Sequence, residues 1–177
     1  MAYADLVETA GGSTSNSYAT VAECDDYHDG IPATYTADWT GATDENKEDA
    51  LMWATRLLDS WVDWKGVKAD ISTTSGVPDQ RLEWPREGVV GPNGEDLDST
   101  LIPQWLKEAA SELARQLLIK NLTKEPIRGF ERIRAGDVDI TFDTMKSKRI
   151  LLKSVRAFIW RYGDIKESSF GRTAVRV

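Results

Sequence analysis

His28 is the only histidine of this 177-residue chain and Cys24 the only cysteine, so the side chains able to do nucleophilic or metal chemistry are few. A histidine-assisted serine or cysteine nucleophile would have to use His28, and the composition offers no multi-histidine or cysteine-spaced metal site. His28 stands in "DDYHDG", an acidic helix end where a cation is favoured by the helix dipole and by Asp25 and Asp29. The carboxylates of residues 23–49 cluster at helix ends in the same way, which needs no catalytic explanation. "GPNGEDLD" lacks the Asp-x-Asp-x-Asp-Gly spacing and distant bidentate glutamate of a calcium loop, and reads as a turn. The glycines form no phosphate cradle of the Walker or dinucleotide type. The expectation is a protein with no catalytic residues, no metal and no cofactor.

Charge gives a second kind of chemistry to look for. Residues 1–100 carry 6 basic and 20 acidic side chains, a balance of −14, while residues 101–177 carry 16 and 9, a balance of +7; together they make the overall −7. Such polarity fits a basic half that meets nucleic acid, or opposite ends that meet each other or neighbouring subunits. Binding single-stranded DNA needs a basic groove with aromatic stacking platforms, and Arg156, Phe158, Trp160 and Arg161 come nearest to that pattern, on one amphipathic helix.

The elements that must position these residues are mostly helical. With 41% hydrophobic and 29% charged residues the chain predicts a single globular domain with a real core. No apolar run is long enough to cross a bilayer, and the opening residues lack a signal peptide's pattern, so a cytosolic product is expected. Residues 1–16 read as a flexible polar arm. Thr20-x-x-Glu23 has the form of a capping box and opens a short helix to about Asp29. Gly30 and Pro32 stop it, a loop with Tyr35 and Trp39 follows, and Thr43 caps the next helix. There Leu51, Ala54, Leu57, Leu58 and Trp61 recur at helical spacing up to an end near Gly66, with Trp53 and Trp64 off the centre of the stripe.

Residues 67–100 are too rich in Gly and Pro for a continuous helix, yet "LEWPREGV" is strongly apolar. Trp84 precedes a proline and is biased to extended backbone. Leu82, Trp84, Pro85 and Arg86 are therefore read as a structural strap closing over the core from the Trp53/Trp61 side, followed by a tight turn at Asn93-Gly94. Ser99 or Thr100 opens the strongest helix, with Pro103 in its first turn and Trp105, Leu106, Ala109, Ala110, Leu113, Leu117 and Leu118 on one face. This helix and the one from Thr43 form the expected central pair. Alternation about Ala135-Gly136-Asp137, carried by Phe130, Ile133, Val138, Ile140 and Phe142, predicts a hairpin arm over about 129–143. A last helix is expected near Ser147 to Tyr162. The fold class is thus mainly α: a helical bundle with a long Trp-Pro strap between its central helices, a small β-hairpin and flexible termini. Residues 1–163 form one domain, and 164–177 a tail outside the core.

Four stretches, "NSYATVAECDDY", "EDALMWATRLLDSWVDWKG", "QRLEWPREGV" and "IPQWLKEAASELARQLL", resemble tailed-phage proteins labelled DnaT-like single-stranded-DNA-binding proteins. The resemblance covers roughly residues 14–142, and its most specific element is the Trp-Pro-Arg strap. In layout the group is similar to head-tail connector, or adaptor, proteins. That likeness implies a structural virion protein of the neck: a subunit of a dodecameric ring joining the portal to downstream tail proteins, with genomic double-stranded DNA passing through without sequence-specific contacts. It implies residence in the virion and, during assembly, the host cytoplasm. Portal or subunit contacts would then fall on Phe170, Arg172, Val175, Arg176 and Val177 of the tail and on Phe130, Ile133, Val138 and Ile140 of the arm. The other reading is the label's own, a single-stranded-DNA binder. Neither reading involves a membrane.

Overall fold

Thr20 and Glu23 satisfy each other's backbone: the Thr20 hydroxyl accepts from the Glu23 amide at 3.2 Å, and the Glu23 carboxylate accepts from the Thr20 amide at 2.9 Å. This capping box opens α1 (Val21–Asp29), as the spacing requires. The computed structural model describes residues 5–69, 80–120, 122, 132–135, 138–141 and 153–166.

The loop expected around Tyr35 and Trp39 is instead a helix, α2 (Ala33–Thr40), with Pro32 at its N-cap and no side-chain cap. Tertiary bonds stabilise it where local capping does not. Trp39 is fully buried, and its indole N–H donates to Asp25 Oδ1 at 2.8 Å. Lys47 Nζ reaches the same oxygen at 2.8 Å, so one carboxylate ties α1, α2 and α3 (Asp44–Trp61) together. Thr43 caps α3 through the Asn46 amide, and the predicted stripe Leu51, Ala54, Leu57, Leu58 and Trp61 is buried.

α3 stops at Trp61, not near Gly66, because the chain turns extended. β1 (Val62–Trp64) buries Val62 and Trp64 and exposes Asp63, while Gly66, with φ of 72°, turns the chain into β2 (Val67–Lys68). β2 pairs antiparallel with β3 (Arg86–Glu87). The strap leading into and through β3 is placed largely as expected: Leu82 and Val89 are buried and Trp84 is fully enclosed. Its ring stands edge-on to Trp64 and Trp105, at centroid distances of 5.8 and 5.2 Å, so the strap closes over these two indoles. The Trp84-Pro85 peptide bond is cis. The expected turn at Asn93-Gly94 is present, with Gly94 at φ of 88° and Val90 bridged to Asp96.

α4 (Gln104–Ile119) starts after Pro103 and not at Ser99 or Thr100. Asp98 Oδ1 accepts from the Thr100 amide at 2.8 Å and from its hydroxyl at 2.6 Å, which holds those residues in a turn. α3 and α4 form the central pair, with Ala109, Ala110 and Ala114 fully buried between bulkier neighbours. The hairpin is present as β4 (Arg132–Ala135) and β5 (Val138–Thr141), with Ile133 opposite Ile140 and Ala135 opposite Val138.

α5 (Lys153–Ile159) is shorter than the Ser147–Tyr162 helix expected; residues 147–152 lie outside the described residues. Tyr162 lies in the turn beyond it and stacks on Trp105 at 4.0 Å. The chain then forms β6 (Gly163–Ile165), antiparallel to β1, and Lys166 N donates to Trp61 O at 2.8 Å. Residues 164–166, expected in the tail, are part of this ladder; residues 167–177 lie outside the described residues. The polar arm is corrected likewise. From Asp5 onward it is a folded loop in which Asn16 bonds both Val7 N and Asp5 O, and Glu8 pairs with Lys107 at 3.1 Å. The architecture is mainly α with small antiparallel pairs.

Tyr18, wholly buried, locks this N-terminal loop to α3: its amide donates to Thr55 Oγ1 at 3.1 Å and its hydroxyl donates to the Asp59 carboxylate. The other Asp59 oxygen accepts from the Glu83 amide of the strap at 3.2 Å. Burial pushes the Asp59 carboxyl up to about 6, against the opposing effect of these two hydrogen bonds, with the Glu83 charge adding to the rise and Lys68 reducing it. A raised carboxyl stabilises the fold below its unfolded value and loses that contribution as pH rises through the folded one. The whole effect is about 3 kcal/mol, of which roughly half falls between about pH 5 and 7. His28, whose pKa burial lowers, acts in the opposite direction below its usual value. The Asp59 share is thus read by difference: urea unfolding of Asp59→Asn should lose about 1 kcal/mol less stability than the parent across that interval. Parallel stability curves would contradict the assignment.

Candidate nucleic-acid interface

Helix α5 buries Val155 and Ile159 against the core and turns Lys153, Arg156 and Ala157 outward. The next residue after the helix is Trp160, 61% exposed although the chain's other described tryptophans are buried or half-buried. Its amide continues the helical pattern by donating to Arg156 O at 3.1 Å, so Trp160 sits one turn beyond Arg156. The Arg161 guanidinium lies over the indole at 5.1 Å from the ring centroid. Exposing so large a ring is unfavourable unless something covers it, and a cation over its face leaves it polarised for stacking.

The turn that carries Trp160 and Arg161 is fixed from below. Lys65 N donates to Tyr162 O at 2.9 Å, and Lys65 Nζ donates to Arg161 O at 2.8 Å. That bond brings a further exposed cation, from the far side of the β1–β6 ladder, to the same surface. Gly163 permits the close approach: a Cβ there would lie 2.5 Å from Val62 Cγ1 and 3.0 Å from Asp63 O. Between the turn and β6 lies a cleft of about 140 Å3 lined by Arg156, Trp160, Gly163, Asp164 and Ile165. Trp64 faces Gly163 and Val62 faces Ile165 between the hydrogen-bonded positions of the ladder, so the main-chain groups of Gly163 and Ile165 turn away from β1. The surface combines one exposed aromatic face, the cations Lys65, Lys153, Arg156 and Arg161, and main-chain donors and acceptors. It can stack a base and neutralise a few phosphates.

Of the aromatic-cationic set expected on this helix, Arg156, Trp160 and Arg161 do come together. Phe158 does not join them; it is half-buried and packs on the core. Lys65 carries no sequence signal for this surface, since a pairing across about one hundred residues brings it there; Asp164, four residues after Trp160, is missed because a lone carboxylate does not resemble a phosphate-binding residue. Phe130, Phe170, Arg172, Val175, Arg176 and Val177 lie outside the described residues, and Ile133, Val138 and Ile140 fall in the β4–β5 hairpin. His28 is enclosed between Tyr27 and Trp39, each ring centroid 5.0 Å away, and burial lowers its pKa. Cys24 Sγ is 2.8 Å from Ser111 Oγ, and burial pushes the thiol up to about 12, far from a reactive thiolate. Among the described residues no helix is long and apolar enough to cross a membrane.

Residues 4–177 match the model of a family described as "Putative DnaT-like ssDNA binding protein", and the chain belongs to that family. No curated protein and no solved structure matches. The family description names a single-stranded-DNA binder. It overturns the expectation of a bacteriophage head-tail connector, a virion structural protein of the neck, and with it the dodecameric ring, the portal contact and the DNA channel.

Proposed function

We propose, from membership of this family, that the chain is a non-enzymatic binder of single-stranded DNA and that the surface around Trp160 is where the strand lies. The exposed indole backed by Arg161 carries the reading: unpaired bases can stack on such a face, whereas bases paired in a duplex cannot reach it. Lys65, Lys153, Arg156 and Arg161 supply local positive charge in a chain whose overall charge is −7, so attraction for phosphate is confined to this end. The acidic first half disfavours wrapping of the strand around the whole molecule.

Anisotropy titration of a labelled oligonucleotide tests this. With up to four cations contacting phosphates, the logarithm of the affinity should fall against the logarithm of salt concentration with a slope of about −3. Trp160→Ala should weaken binding by roughly 10- to 100-fold and leave that slope unchanged, because stacking releases no counterions. Duplex DNA of the same length should bind more weakly than the single strand. Undiminished affinity in Trp160→Ala, or no binding at about 50 mM salt, would refute the proposal.

A further inference from the structure

Two aspartates stand directly opposite each other at the middle of the β1–β6 ladder. Asp63 of β1 and Asp164 of β6 are register partners and both are exposed. Like charges placed opposite on an antiparallel pair repel, so this arrangement costs stability. Lys166 Nζ, 3.4 Å from Asp63 Oδ1, offsets the repulsion on the Asp63 side. Asp164 is the member that lines the cleft with Arg156 and Trp160. A carboxylate is a poor neighbour for phosphate but a fitting one for a part of the nucleotide that donates hydrogen bonds.

A carboxylate offers acceptors alone. Guanine presents two adjacent donors, N1–H and the N2 amino group, spaced to meet both oxygens of one carboxylate. Thymine presents a single N3–H flanked by two carbonyl oxygens that the carboxylate repels. Cytosine and adenine present an amino group beside a ring-nitrogen acceptor and fall between the two. Resting on the single-stranded-DNA reading above, we infer that the cleft between Trp160 and Asp164 is a subsite for one unpaired guanine: the base stacks on the indole, and Asp164 accepts from N1–H and N2–H. Arg156, which lines the same cleft, would meet the phosphate of that nucleotide.

The test is a set of labelled oligonucleotides, hexathymidylate and the same strand carrying one central guanine, adenine or cytosine, titrated against the intact chain. The guanine-bearing strand is expected to bind about tenfold more tightly than hexathymidylate, the gain typical of a bidentate base contact. In Asp164→Asn the ratio of the two affinities should fall to about one, since the amide replaces one acceptor by a donor. Because that change also removes the repulsion from Asp63, its melting midpoint should be no lower than the parent's, which separates lost selectivity from unfolding. Asp63→Asn relieves the same repulsion outside the cleft and should retain the guanine preference. Equal affinities for all four strands in the parent, or an undiminished guanine preference in Asp164→Asn, would overturn the subsite while leaving the single-stranded-DNA reading in place. Failure of every strand to bind would overturn both.

Discussion

Replacing Trp84 with alanine is expected to lower the unfolding free energy by about 3 to 5 kcal/mol, the largest loss of any single change considered for this chain. The indole is fully enclosed, and its neighbours cannot collapse into the space it would leave. Trp64 meets it at 88° and Trp105 at 86°, while Trp105 is itself stacked on Tyr162 at 4.0 Å, so each ring is fixed by the next. Among the described residues the indole N–H groups of Trp64, Trp84 and Trp105 have no oxygen or nitrogen partner. Perpendicular packing sets the electropositive edge of one ring against the π face of another, which compensates part of that deficit and disappears with the ring. Urea unfolding should show a lower midpoint with an unchanged slope. A midpoint equal to the parent's would mean that the strap is dispensable.

Arg86→Met should cost about 3 kcal/mol and, at this chain length, depress the thermal midpoint by roughly 6 to 12 °C. The methionine keeps the apolar stem but removes every donor. Arg86 Nε donates to Lys65 O at 2.8 Å, Nη2 to Gly66 O at 2.7 Å, and Nη1 to Glu83 Oε2 at 2.8 Å. The bonds to Lys65 and Gly66 fasten the strap to the turn between β1 and β2, the one to Glu83 braces the strap itself, and without them three acceptors lose a buried or half-buried donor. Arg86→Lys should recover less than half of the loss, because an ammonium cannot reproduce the planar fork. Full recovery by lysine would show that charge alone, and not the directed bonds, holds the strap.

Both effects were foreshadowed in the sequence, since Trp84-Pro85 announces an extended apolar segment wherever it lies and helical periodicity announces α3 and α4. The capping box at Thr20 and the cap at Thr43 were legible for the same reason: they are local. What escaped is non-local. The helix α2 has no side-chain cap and follows Gly30 and Pro32, so nothing within it distinguishes helix from loop; the bond from Trp39 to Asp25 does that. β1 and β6 are three residues each, too short to display alternation, and their pairing joins positions 62 and 165. The candidate DNA surface inherits this division. Arg156, Trp160 and Arg161 lie within six residues and could be read together, whereas Lys65 joins them only through that pairing. Phe158, grouped with them by proximity in sequence, belongs to the core because it falls on the other side of the helix.

The pairing of β1 with β6 also sets an order of events during synthesis. Most of α1, α3 and α4 can settle while the nascent chain is still being extended, but Trp64 and Trp105 stay partly uncovered until Tyr162 and Gly163 leave the ribosome. Closure of that ladder is therefore the step that both seals the aromatic cluster and sets Trp160 at the surface. A polypeptide released before that step would lack the surface around Trp160 and display sticky indoles instead, a state that chaperones and proteases recognise.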